Sequence, residues 1–398
     1  MNSDAGTRSV TDPMNYATGP LDGIVVLDLS RVLAGPYATM LLADLGATVI
    51  KVESQQGDET RTWRPPERDG ESTYFQSVNR NKWSIALDLA AEQDSETVER
   101  LLGRADVLVE NFKPGGLARF GLDYESVRAR FPQLVYASLS GFGFEGPGAA
   151  LPGYDVLVQG ASGLMHVTGD AAGEPMKAGV AVCDVIAGLH LQGAVLAALH
   201  ERSRSGQGQH VKANLMSSML SGLVNQTSAA VNTGVSPQRM GNEHPSLYPY
   251  GPFATADGQL MIACGNDAQF ARLCTALGCP EAAEDPRWTD MSGRNTNRSQ
   301  LREVLEQQLR REGTQHWSAA LREAGVPSAP INDVVESLDY AEDLGLQPRV
   351  TLEREDGTAS SSIAHPVQWS RSAVSYRSAP PRVDEHRDQI LSWLDAEG

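Results

Sequence analysis

An aspartate that opens a helix behind a run of small residues is the feature of this sequence best suited to covalent chemistry. In the stretch 179–202, GVAVCDVIAGLHLQGAVLAALHER, Asp184 stands where small residues give way to a helical pattern. Apolar residues at 185, 186, 189, 195, 196 and 199 keep helical spacing, and Gly188, Gly193, Ala194, Ala197 and Ala198 leave room for close packing. A carboxylate at a helix start is favoured by the dipole and by free backbone N–H groups, which could also hold a reactive anion. Two readings stand here: a plain N-cap, without the capping-box partner three residues on, or a nucleophile. The adjacent Cys183 has no basic neighbour and is expected to be a small buried hydrophobe rather than a reactive thiol.

The second group is cationic. Asn111-Phe112-Lys113-Pro114-Gly115 ends a predicted strand, and Arg119 follows. A lysine and an arginine at the carboxyl edge of a parallel sheet suit phosphate, with Phe112 or a guanidinium free to stack on a purine. As isolated residues they would be solvated surface. The polar stretch 54–74, with Trp63 and Tyr74 embedded, reads either as a loop over a pocket or as a plain exposed connection. Residues 141–146, GFGFEG, match GxGxxG after a strand, but PGAALPGY follows and its prolines cannot begin a long helix. A dinucleotide site is therefore excluded.

The elements that must position these residues alternate. Strands are predicted at 24–29, 48–53, 84–89, 106–110 and 133–139, with helices from Gly35-Pro36 to Gly46 and over 92–103. The continuous apolar runs imply a parallel sheet covered on both faces, with a helix N-terminus near Ala34 at its carboxyl edge. A turn and strand follow the Asp184 helix, then an amphipathic helix over 215–233 and an irregular aromatic loop over 240–256. Further elements are a strand at 259–263, helices at 267–277, 294–312 and 314–324, a strand at 348–353 and a last helix near 383–395.

With 398 residues, 41% of them hydrophobic, the chain has the size of two domains of an α/β protein. Its net charge of −17 argues against nucleic acid or an anionic membrane as partner, so any anion site must gather its cations locally. The four cysteines show no CxxC or zinc spacing, which fits reduced thiols, no metal and a cytoplasmic location. The first twenty residues carry no apolar core of a leader or anchor, and the Asp184 run is expected to be too short to span a bilayer.

The stretches RVLAGPYATMLLADLGATVIKVE, GDETR, NRNKWSIALDL, ADVLVENFKPG, LARFGL and GQGQHVKANL, in this order, resemble family III CoA-transferases. That family includes formyl-CoA and carnitine CoA-transferases and the α-methylacyl-CoA racemases. RVLAGPYATM, TRTWRPP and ESTYFQSVNRNK look most like its succinyl-CoA:glutarate (dicarboxylate) branch. The resemblance implies an α/β fold, with a Rossmann-like parallel sheet in the large domain and a smaller α+β domain, assembled as an interlocked ring-shaped homodimer. It implies a tail at 1–20, a large CoA-binding domain at 21–215, a linker helix at 216–230, a small domain at 231–330 and a return to the large domain at 331–398.

By the same resemblance Asp184 is the nucleophile, forming an aspartyl anhydride and then an aspartyl-CoA thioester. Coenzyme A is substrate rather than bound cofactor. Its contacts carry over to Leu33, Ala34, Leu87, Asp88, Leu89, Asn111, Phe112, Lys113, Arg119, Pro152, Gly153, Tyr154 and Asp155. N–H groups around Val185 and Ile186 or a glycine loop would hold the tetrahedral intermediates. For the distal carboxylate of a small dicarboxylic acid, Arg31, Arg80, Arg239 and His244 are candidates. The chain departs from the pattern at Leu33, a glutamine in formyl-CoA transferases, and at Ser54, an arginine in several relatives, which argues against formyl or oxalyl chemistry. Racemases carry histidine where this chain has Tyr154, and tyrosine is a poor base for exchanging an α-proton. An acyl-CoA racemase or a non-catalytic CoA-binding protein are the alternatives.

Overall fold

Val25-Val26-Leu27-Asp28 forms β1, and the alternation of its side chains divides the first unit into layers. Val25 and Leu27 join one buried cluster, Val26 the other. The structure is a computed structural model and describes residues 19–68, 70–354 and 357–396. The tail expected at 1–20 lies, up to residue 18, outside the described residues. Helix α1 (Ala34–Asp44), β2 (Thr48–Glu53), β3 (Lys82–Ala86), α2 (Glu92–Arg104), β4 (Val107–Glu110), α3 (Tyr124–Arg130), β5 (Val135–Ser140), α4 (Asp155–Ala161), α5 (Val182–Ser205) and β6 (His210–Asn214) follow.

The six strands form one parallel sheet in the order β3-β2-β1-β4-β5-β6, with Val26 paired to Val49 on one side and Val107 on the other. β1 to β5 are buried along their whole length, as their apolar runs require, while the edge strand β6 is half-buried. One face carries α2, α3 and the last helix, Arg387–Asp395, through Val98, Leu101, Val127, Ile390 and Trp393. The other carries α1 and α5. Strand order reverses between β1 and β4, and a crevice opens at their carboxyl ends, the usual place for a ligand in such a sheet.

Compact units divide the described chain. The first takes residues up to 164, 178–235 and from 346 on; the second takes 165–177 and 236–345. The second unit has a three-stranded antiparallel sheet, Ser328–Pro330, Gln259–Ala263 and Tyr250–Ala254, with helices around a core of Phe253, Phe270, Leu273, Leu301, Leu305 and Trp317. Tyr250–Ala254 lies within the stretch predicted to be an irregular loop. Pro252 disguises it, and the strand tolerates that proline because it sits at the sheet's edge.

Two other expectations are corrected. The helix over 215–233 is two helices, Leu215–Gly222 and Asn225–Thr233, broken where Val224 takes φ 43°. At 24 residues α5 is also long and apolar enough to cross a membrane by length and composition, not too short as its polar interruptions imply. Its stripe Ala187, Gly188, Leu191, Val195 and Ala198 is buried against the sheet's neighbours instead.

Candidate active site

Helix α5 begins at Val182, with Ala181 as N-cap residue, so Asp184 lies inside the first turn and does not cap its own helix. The capping is done from α4. Asp155 Oδ1 accepts from the Cys183 N–H at 2.9 Å and the Asp184 N–H at 3.4 Å. Its other oxygen takes the Gln159 amide at 2.6 Å, and Gln159 Oε1 in turn accepts the Ala178 N–H at 2.8 Å. Two helices and the connection between them are thereby pinned around one carboxylate, and the Asp184 side chain is left out of the capping. Among the described residues its carboxylate has no hydrogen bond or ion pair, and the residue is 9% exposed. Burial, helped by the charge of Asp155, pushes its pKa up to about 7.

The face of α5 that packs carries Ala187, Gly188, Leu191, Val195 and Ala198, while Gly193 and Ala197, expected to leave room for packing, are exposed. The Ala34 carbonyl oxygen lies 2.7 Å from where a Cβ on Gly188 would stand, so α1 and α5 touch backbone to side just behind Asp184. Leu189, expected on the apolar face, is exposed. Cys183 is buried, and burial near two carboxylates pushes its thiol up to about 12, which makes it inert.

Asp184 looks into a cleft of about 370 Å³ lined by Arg31 to Ala34 after β1, Asn111 to Pro114 after β4, Leu139 to Gly141 at the end of β5, and Pro152 to Asp155. Gly141 and Gly153 cross so closely there that a Cβ on either would meet the other's backbone under 3 Å. A second cleft of about 640 Å³ shares Arg31, Glu59 and Phe112 with the first and runs over Leu87, Asp88, Leu89 and Arg119. Every CoA-contact position from the sequence therefore falls on one of two adjoining clefts at the carboxyl edge of the sheet. Leu87 to Leu89 do so from the turn beyond β3, which ends three residues short of the predicted strand. Arg119 lies over the Phe120 ring at 4.4 Å, and the Arg31 guanidinium over the Phe112 ring at 5.2 Å.

The four candidate cations separate. Arg31 is in the cleft with Asp184. Arg80 is buried and bound to Asp44 at 2.5 Å and Ser362 at 2.8 Å, a structural tie that no substrate reaches. Arg239 is in the second unit, donating to the carbonyls of His166, Asp170 and Gly173, and the His244 ring accepts the Ser246 and Leu247 N–H groups there. Trp63 and Tyr74 meet edge to face at 5.0 Å, and burial together with the charges of Asp184, Asp155 and Asp58 pushes the Tyr74 hydroxyl up to about 12.

The N–H groups at the start of α5 are not an oxyanion site. Cys183 and Asp184 give theirs to Asp155, and Val185 gives its to the Ala181 carbonyl at 3.1 Å. The N–H groups of Leu33 and Ala34, at the start of α1, make no hydrogen bond among the described residues, and both residues line the cleft with Asp184. Asp155 as a cap carries no local sequence signal, since it lies in another helix.

The model of one family, CoA-transferase family III, matches residues 21–387. Among curated relatives, succinate--glutarate CoA-transferase of Agrobacterium fabrum is 42% identical over 383 residues, covering 94% of this chain and 96% of its own length. Succinyl-CoA:glutarate CoA-transferase of Homo sapiens is 38% identical over 375 residues, covering 94% of this chain and 85% of its own. Among solved structures, a CAIB/BAIF family protein from Brucella suis superposes with a TM-score of 0.86 at 42% identity, over 95% of this chain and 100% of that one. With that coverage, the chain belongs to CoA-transferase family III.

Proposed function

We propose that this protein moves coenzyme A from succinyl-CoA to a small dicarboxylic acid such as glutarate, with Asp184 as the nucleophile. The observation that carries this reading is the Asp184 carboxylate itself, buried and without a partner among the described residues, at the junction of α5 with the clefts the CoA-contact positions line. The activities of the relatives supply the donor and acceptor.

An Asp184 oxygen attacks the thioester carbonyl, and the carbon–sulfur bond breaks to give an aspartyl–succinyl anhydride and CoA thiolate. The thiolate attacks the Asp184 carbonyl carbon, succinate leaves as carboxylate, and an aspartyl-CoA thioester remains. An acceptor carboxylate runs the same steps backwards and departs as its CoA ester. The Leu33 and Ala34 N–H groups are donors available for the tetrahedral oxyanions, and Arg31 and Lys113, both on the cleft, are cations available to a distal carboxylate or to a phosphate. No proton needs to move, so a nucleophile ionised near neutral pH suffices. Four buried, unpaired cysteines fit a reducing cytoplasm, and we place the protein there as a homodimer.

Transfer from succinyl-CoA to glutarate is expected to fall roughly a thousandfold or more in Asp184→Ala. The parent protein incubated with succinyl-CoA and then hydroxylamine is expected to carry a hydroxamate at Asp184, seen by peptide mass spectrometry. Near-parental transfer by Asp184→Ala would end the proposal.

A further inference from the structure

The loop between β1 and α1 is gripped from several sides. The Ser30 N–H donates to Asp28 at 2.9 Å, and the Ser30 carbonyl accepts Lys51 Nζ at 2.8 Å. Asn111 takes the Arg31 N–H at 2.9 Å and returns its amide to the Arg31 carbonyl at 2.7 Å. The Val32 N–H then meets both oxygens of Asp58, at 3.2 and 3.4 Å. Val32 is the strained point: its φ is 70°, in the left-handed region that a β-branched residue rarely enters.

Asp58 is itself held. Lys51 Nζ lies 3.1 Å from its Oδ2, and Thr60 donates its N–H at 3.0 Å and its hydroxyl at 2.8 Å to Oδ1. Both side chains of the Lys51–Asp58 pair are 1% exposed. A pair so buried adds little stability over an apolar replacement, because desolvation offsets the attraction. What an apolar pair lacks is an acceptor for the Val32 N–H. The residues after Val32 are Leu33 and Ala34, whose unengaged N–H groups share the cleft with Asp184.

We propose that Asp58, backed by Lys51, is a positioning residue for the transfer reaction. It fixes Val32 in the left-handed conformation and thereby sets the Leu33 and Ala34 N–H groups for the oxyanion formed at Asp184. This rests on the reading of Asp184 as nucleophile. The alternative is that the pair only closes the core beneath the loop.

A double-mutant cycle separates the two. Asp58→Ala is expected to lower kcat by roughly tenfold to a hundredfold with little change in KM for succinyl-CoA, since the strain no longer borne disorders the donors. In the Val32→Gly background the same change is expected to lower kcat several-fold less, because glycine takes a φ near 70° unaided. Folded fractions are matched by circular dichroism. Should Asp58→Ala fold too poorly to assay, Asp58→Ser, too short to reach Val32, is carried through the same cycle with the same expectation. An equal loss in both backgrounds, or no loss at all, overturns the proposal. Hydroxylamine trapping at Asp184 keeps the two readings apart: an equal loss with trapping intact sinks the clamp alone, and absent trapping in the parent sinks the nucleophile.

Discussion

Asp184 is an ionisable group that the fold has made expensive to ionise, because burial comes first and the Asp155 charge second in pushing its pKa up to about 7. The linkage has a definite sign. Below about pH 4 folded and unfolded chains both carry the proton. Between there and pH 7 the unfolded chain loses it first, so the folded state loses stability as pH rises, and the deficit is complete above pH 7. Asp184→Asn is therefore expected to unfold at a higher temperature than the parent at pH 8, by the equivalent of roughly 4 kcal/mol, and at nearly the same temperature near pH 3. A gap that does not change with pH would refute the shifted pKa. The helix start at Asp184 is legible in the sequence, but the segment alone also reads as a cap, and the nucleophile role comes from the family resemblance. Its cap is not legible, because Asp155 comes from another helix 29 residues away. For Arg80 the other reading of NRNK, a tie between loops, is the one the structure bears out, although nothing local names Asp44 as its partner.

At the scale of elements the site depends on how α5 meets α1, since α1 carries the free N–H groups and α5 the carboxylate. Gly188 sets that approach. A methyl group there would stand 2.7 Å from the Ala34 carbonyl oxygen and 3.2 Å from the Tyr37 ring, and the first of these neighbours is backbone that cannot turn aside. Gly188→Ala is expected to cost about 1–3 kcal/mol in a denaturant titration and to lower kcat, because relieving the clash moves Ala34 relative to Asp184. Unchanged kcat in a destabilised protein would separate the packing from the chemistry. The strands and long helices of the first unit follow from period and punctuation, since β1 to β5 are buried along their length and built largely on apolar runs, with Asp28, Lys51, Glu53 and Lys82 buried among them. Which face of α5 packs does not follow from hydrophobicity. The stripe Ala187, Gly188, Leu191, Val195 and Ala198 goes inward, while Leu189 and the small residues Gly193 and Ala197 go out.

Across the whole molecule, the chain closes on itself through contacts with no local signature. Asp384 accepts the Ala86 N–H at 2.7 Å, and Arg61 reaches the Pro381 carbonyl at 2.9 Å, some 300 residues along the chain in each case. What the single chain leaves open is apolar surface. Val231, on the helix Asn225–Thr233, is 84% exposed, and Val334, opening the helix Val334–Asp343, is 80% exposed, with Val224, Val235 and Val335 also in solvent. One exposed valine needs no explanation, but several on two helices that bury few of their own residues call for a cover. A second copy is the cover that family resemblance implies. With a net charge of −17 on each chain, association must come from apolar burial against long-range repulsion, so added salt should tighten it. Sedimentation equilibrium at micromolar concentration is expected to give twice the chain mass of 42.7 kDa, and Val231→Glu with Val334→Glu to shift it toward the single-chain mass. A single-chain mass for the parent, or a dimer indifferent to both substitutions, would show that these valines face water in the working enzyme.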